Sequence, residues 1–163
     1  MSKALSQAAG NAGAIARNPG RSREATRAWA DVLSEIPLFT HVSKRHIRKL
    51  AGEGTVVRFQ PGSAIVRVRQ TGDAFFVVLD GKCAVERVRG GGRVSLGVGA
   101  YFGEMALLDG GPRSATVVAE TESTCLRLGR NAFLRFLRSE PTVSLAILRA
   151  LAERIRDAED ATA

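Results

Sequence analysis

A carboxylate and a guanidinium, Glu104 and Arg113, stand nine positions apart in YFGEMALLDGGPRSATVV, residues 101–118, amid many small residues. Gly103 lets backbone approach a ligand closely, and the short helical run after it opens with N–H groups that have no partner inside the helix. Such an end attracts anions. Asp109-Gly110-Gly111-Pro112 reads as a turn and Ser114-Ala115-Thr116-Val117-Val118 as a strand, so Arg113 is expected to fold back over the amide-rich helix end. A guanidinium there grips a phosphate through two parallel bonds. Ser114 adds a hydroxyl and an amide, and Glu104 accepts from sugar hydroxyls. The set suits a cyclic phosphate joined to a ribose. A plain surface ion pair between Glu104 and Arg113 is worth under about 1 kcal/mol and leaves the glycine, the small residues and the proline unexplained.

The elements that must hold this stretch follow from periodicity. From Ser22 to Ser34 the apolar residues Ala25, Ala28, Trp29, Val32 and Leu33 recur at three- and four-residue steps, which predicts a helix anchored by Trp29. Ile36-Pro37-Leu38-Phe39 breaks it, and Ser43 caps a second helix over residues 44–51. Short strands are predicted over residues 55–59, 64–68, 75–79, 83–88 and 94–98, split by Gln60-Pro61-Gly62, Thr71-Gly72-Asp73, Asp80-Gly81 and Gly90-Gly91-Gly92. Asp80-Gly81 is the sharpest hairpin signal. A last strand covers Cys125-Leu126-Arg127-Leu128, and Asn131 is expected to cap a helix running through Leu137. From Val143 the apolar stripe Val143, Leu145, Ile147, Leu148, Leu151, Ile155 predicts a longer helix. The fold class is therefore mainly β with flanking helices, an antiparallel β-roll or jelly-roll barrel. Its expected parts are a flexible basic arm over residues 1–25 and a domain over 26–163, with helices in 26–51, the roll in 54–128 and C-terminal helices in 131–160.

Phe102-Gly103-Glu104-Met105-Ala106-Leu107-Leu108 followed by Pro112-Arg113-Ser114-Ala115-Thr116 resembles, without a gap, the phosphate-binding cassette of the cyclic-nucleotide-binding domain family. That family includes the catabolite activator protein and the regulatory subunits of cyclic-AMP-dependent protein kinase. The resemblance runs from about Trp29 to the C-terminus. It implies that Glu104 holds the ribose 2′-hydroxyl, that Arg113 holds the exocyclic phosphate oxygens, and that Gly103, Met105, Ala106, Ser114 and Ala115 complete the cradle. It also implies that the C-terminal helix closes over the purine as a lid, with Leu148, Leu151, Arg154 or Ile155 as the capping group. Val94 and Leu96 are candidates for the floor of the base pocket; core packing is the competing role for each of these residues. Ser114 stands where threonine goes with guanine selectivity in the family, which favours cyclic AMP over cyclic GMP. Arg67-Val68-Arg69-Gln70 departs from the family, where this turn is more often acidic.

The whole chain of 163 residues suits one domain with one sizeable core. Its formal charge of +8 is concentrated between His41 and Gly72, and a basic patch alone is weak support for nucleic acid, which is not expected as a partner. Cys83 and Cys125 lack metal or disulfide spacing and read as buried thiols in a reducing compartment. No apolar run is long enough to span a membrane, and residues 1–18 lack a secretory core, so the cytoplasm is the expected location. His41 and His46 both precede the roll, so no metal cluster or catalytic dyad is expected, and no cofactor beyond the nucleotide. The resulting expectation is a stand-alone, non-catalytic regulatory module that moves its C-terminal helix for a protein effector, with a homodimer left open. The alternatives are an interaction domain of the same fold that binds no nucleotide, or a truncated DNA-binding transcription regulator. For the last, the sequence stops at Ala163, short of a helix-turn-helix domain.

Overall fold

The computed structural model describes residues 14, 15, 23–87 and 91–162, so the arm expected over residues 1–25 lies almost wholly outside the described residues. Chain order begins with β1 (Ala14–Ile15), α1 (Arg23–Ser34), a 3-10 turn (Pro37–Phe39) and α2 (Lys44–Glu53). Ala30 and Leu33 of α1 are buried, and Trp29 and Val32 pack against the same core, as their spacing requires. Ser43 caps α2 as expected, its Oγ accepting from the His46 amide at 3.2 Å.

The roll follows as β2 (Thr55–Phe59), β3 (Ala64–Val66), β4 (Ala74–Asp80), β5 (Cys83–Glu86), β6 (Arg93–Leu96) and β7 (Tyr101–Phe102). After α3 (Glu104–Asp109) come β8 (Thr116–Ala119) and β9 (Ser123–Gly129), then α4 (Arg130–Ser139) and α5 (Pro141–Thr162). Two antiparallel sheets result, ordered β1-β2-β9-β4-β7 and β3-β8-β5-β6. They are not closed into a barrel. The hairpin at Asp80-Gly81 forms, with Gly81 at φ 84° and so tightly set that a Cβ there would lie 2.3 Å from the Glu122 carbonyl oxygen.

β4 explains how one strand serves two cores. Every residue from Ala74 to Leu79 is buried. Alternation sends Phe75, Val77 and Leu79 toward the helices, where Phe75 stacks on Phe133 of α4 with centroids 4.5 Å apart. Ala74, Phe76 and Val78 face the second sheet, among Ile65, Val66, Cys83, Val117 and Ala119. Both cysteines are buried in this inter-sheet layer as free thiols, in keeping with the reading of them as core residues. The Cys125 thiol is pushed up, first by its hydrogen bond with the Cys83 sulfur and then by burial, where a thiolate would lose its hydration.

Several local expectations shift: the strand predicted over residues 64–68 ends at Val66 and the one over 83–88 at Glu86. The strand predicted over residues 94–98 runs Arg93–Leu96 instead, because Gly97 and Gly99 turn the chain, with Gly99 at φ 89° and its N–H donating to Val78 O at 2.9 Å. Asn131 does not cap α4, which starts at Arg130 straight out of β9. The Arg130 N–H donates to Asp73 O at 3.0 Å, and no side-chain cap is used. Among the described residues no helix is long and apolar enough to cross a membrane.

Candidate functional site

Gly103 is the N-cap of α3 at φ 91°, a left-handed conformation that glycine adopts without steric cost. This geometry aims Glu104 inward, so its side chain is buried at 2% exposure on a six-residue helix. α3 ends at Gly110, also left-handed at φ 71°, and Asp109 Oδ1 accepts from the Gly111 amide at 2.8 Å. The turn that follows bridges Pro112 to Thr71. Arg113 is thereby laid across the mouth of α3, as the turn residues required.

Arg113 is buried at 5% exposure and is held from several sides. Its Nη1 donates to Gly103 O at 3.0 Å and its Nη2 to Ala74 O at 2.8 Å. Its backbone is clamped too, by Arg113 N to Gln70 O and Arg69 N to Arg113 O, each 2.8 Å. Gly72 lies against the guanidinium, where a Cβ would come within 3.1 Å of Arg113 Cζ. Burial pushes the guanidinium's pKa down; Asp73 works against that shift and Arg127 adds to it. Two of the five guanidinium N–H groups are spent on carbonyls, which leaves three for an anion.

A cavity of about 310 Å³ opens over this cradle. Its walls are the cassette on one side and β5, β6 and α5 on the others. From α5, Arg154 Nη1 donates to Glu104 Oε1 at 2.5 Å, joining the buried carboxylate to the C-terminal helix. Ser114 Oγ donates weakly to Met105 Sδ at 3.7 Å, tying the two halves of the cassette. Tyr101 closes one edge, and its hydroxyl pKa is pushed up, first by burial and then by the Glu104 carboxylate.

A family profile described as the cyclic nucleotide-binding domain matches residues 56–140, which span the roll, the cradle and α4. The chain belongs to the cyclic nucleotide-binding domain family. This cyclic nucleotide-binding domain is 38% identical over 106 residues to a cAMP-dependent protein kinase regulatory subunit of Yarrowia lipolytica, a match that covers 64% of this chain and 28% of that protein. The chain thus spans under a third of the curated relatives it matches. The solved regulatory domain of Toxoplasma gondii PKA with cAMP superposes with a TM-score of 0.72 at 25% identity, over 79% of this chain and 51% of that one. Thermus thermophilus catabolite activator protein gives 0.67 at 32% identity, over 76% and 60% of the two chains.

The domain brings most of the sequence-derived candidates together. Gly103, Glu104, Met105, Ala106, Arg113, Ser114 and Ala115 line the cavity, as do Val94 and Leu96. Of the four lid candidates, Arg154 alone lines it. Leu148 and Ile155 are both 60% exposed and point elsewhere, and Leu151 packs on the helical core. Sequence reasoning missed Arg87, Val85 and Tyr101 as lining residues. Period-two alternation from Cys83 through Val85 to Arg87, with Val85 opposite Val94 and Cys83 opposite Leu96, carried a signal for the first two.

Proposed function

We propose that this domain binds a cyclic purine mononucleotide, cyclic AMP ahead of cyclic GMP, and passes the binding event to α5. The observation that carries this is the Glu104 to Arg154 bond across the cavity. The carboxylate suited to a ribose hydroxyl is the same one that fastens the C-terminal helix. In this reading the cyclic phosphate accepts from the unspent N–H groups of Arg113 and from Ser114, and the sugar hydroxyl donates to Glu104. The base lies toward Val94 and Leu96 of β6, across from Val85. A cavity of about 310 Å³ lies within the usual range of ~300–1,000 Å³ for small-molecule sites. Ser114 in place of a threonine supports adenine over guanine, and the names of the Yarrowia lipolytica and Toxoplasma gondii relatives point the same way.

Ribose and Arg154 compete for one carboxylate, so nucleotide entry alters what α5 gains by staying in place. The helix shifts only by the difference in ligand affinity between its two positions. Among the described residues Glu104 is the one carboxylate lining the cavity, which gives no acid and base pair there for hydrolysis. The domain then acts as a non-catalytic regulator in the cytoplasm, its output read by a protein effector at α5.

The test is isothermal titration of protein stripped of carried-over nucleotide by unfolding and refolding, against cyclic AMP and cyclic GMP in parallel. Micromolar or tighter binding, stronger for cyclic AMP, is expected, and α5 amides should change their hydrogen exchange when it binds. Binding of neither nucleotide removes the proposal and leaves a protein-interaction domain in first place.

A further inference from the structure

On the far side of Arg113 lies a second cavity of about 630 Å³, which shares Arg113 and Val66 with the nucleotide cavity. Arg67, Arg69, Arg113 and Arg127 line it, against a single carboxylate among the described residues, Asp73. Asp73 Oδ2 is engaged by Arg127 Nη2 at 3.0 Å. Arg67 and Arg69 enter no ion pair among the described residues.

The loop that carries them is fixed rather than loose. The Val68 N–H donates to Thr116 Oγ1 at 3.0 Å, Arg69 N to Arg113 O at 2.8 Å and Gln70 N to Arg67 O at 3.2 Å. Arg69 takes φ 69°, the single non-glycine residue with positive φ among the described residues. A left-handed arginine carries backbone strain, and the surrounding bonds hold it there. The loop therefore orders two like charges beside two more, around one wall of the cavity. Without a counter-anion this repels itself.

We infer that this cavity is a second anion site, separate from the nucleotide cradle, which takes a diphosphate group through Arg67, Arg69 and Arg127. Arg67, Arg69 and Arg127 against Asp73 leave a net charge of about two, apart from Arg113, whose free N–H groups belong to the nucleotide cradle, and a diphosphate answers that charge over a longer reach than orthophosphate does. Planar forks on a fixed loop and on β9 suit several phosphate oxygens at once. Free pyrophosphate and the diphosphate of a nucleotide share this chemistry.

The experiment is titration of the full chain with pyrophosphate and, separately, with ADP, in metal-free buffer at fixed ionic strength and with saturating cyclic AMP in the nucleotide cavity. The comparison variant carries Arg67→Ala and Arg69→Gly together. The glycine relieves the backbone strain at that position, so the variant should fold at least as well. Pyrophosphate is expected to bind the wild-type chain and to lose at least tenfold in affinity in the variant, while cyclic AMP affinity stays within threefold. ADP weakened in parallel identifies a nucleotide diphosphate as a ligand source, and pyrophosphate alone identifies the free anion. Equal pyrophosphate affinity in both proteins overturns the site. So does pyrophosphate binding that cyclic AMP abolishes, since that places the anion in the nucleotide cradle. Thermal shifts from pyrophosphate that sodium sulfate reproduces at equal ionic strength overturn it as well, as simple screening.

Discussion

Replacing Gly103 by alanine places one methyl group where the cradle has no room for it. The new Cβ would stand 2.6 Å from Arg113 Nη1 and 2.8 Å from Ala74 O. Ala74 O belongs to the buried strand β4 and cannot move aside, so the guanidinium must. The backbone at φ 91° costs an alanine about 1–2 kcal/mol. Loss of one of the two charge-assisted bonds from Arg113 to carbonyl oxygen adds about 1.5–3 kcal/mol. The total, about 2.5–5 kcal/mol, leaves a domain of ordinary stability folded at low temperature. Binding suffers separately, because the phosphate loses a positioned charge worth about 2–5 kcal/mol. That corresponds to a fall in cyclic AMP affinity of roughly 30-fold to 4,000-fold. Gly110→Ala is the matched control. Gly110 is also left-handed, at φ 71°, but nothing lies within 4 Å of its added Cβ. It should lose about 1–2 kcal/mol in a urea titration and keep its nucleotide affinity. If calorimetry finds Gly103→Ala binding as tightly as Gly110→Ala, then Arg113 does not depend on the close fit at Gly103 and the reasoning fails.

Further outcomes follow from other contacts. Arg154→Ala leaves the buried Glu104 without its recorded partner; a loss of about 1 kcal/mol is expected, the low end because Arg154 is half exposed, and α5 amides should exchange faster and stop responding to cyclic AMP. Tyr101 carries a pKa raised in the folded state, so its share of stability is present below the unfolded value of about 10 and is lost as pH rises through and beyond it. Urea midpoints between pH 9 and 11 should therefore fall less steeply in Tyr101→Phe than in the wild-type chain. Phe133→Ala removes a ring that is 1% exposed and stacked on Phe75, and should cost about 3–5 kcal/mol by chemical denaturation.

The cradle was legible because its chemistry is local. Gly103, Glu104, Arg113 and Ser114 lie within a dozen positions, and the turn between them announces itself through Gly110, Gly111 and Pro112. The opposite wall was less so. Which face of α5 meets the cavity depends on how that helix crosses the roll, so the sequence left Leu148, Leu151, Arg154 and Ile155 open, and of these the side chain that arrives is the charged Arg154. Arg87 went unnoticed for a related reason, since a charge at the end of a strand reads as solvated until its cross-strand neighbours are known. The N-cap at Asn131 failed because a strand running directly into a helix can satisfy the first amide with a distant carbonyl, here Asp73 O. No pattern within residues 130–139 encodes that partner.

The double burial of β4 bears on how the chain is made as well as on what it becomes. Ala-Phe-Phe-Val-Val-Leu, residues 74–79, has no side meant for water, and an apolar run of that length is prone to pair with copies of itself when left open. Its central partner is β9, Ser123–Gly129, which leaves the ribosome much later. At ~5–20 residues per second, synthesis holds that strand uncovered on one edge for on the order of a few seconds. Chaperone demand during translation should therefore track the delay between these two strands, and slow codons placed between them should lower the soluble yield of a protein whose finished stability is unchanged.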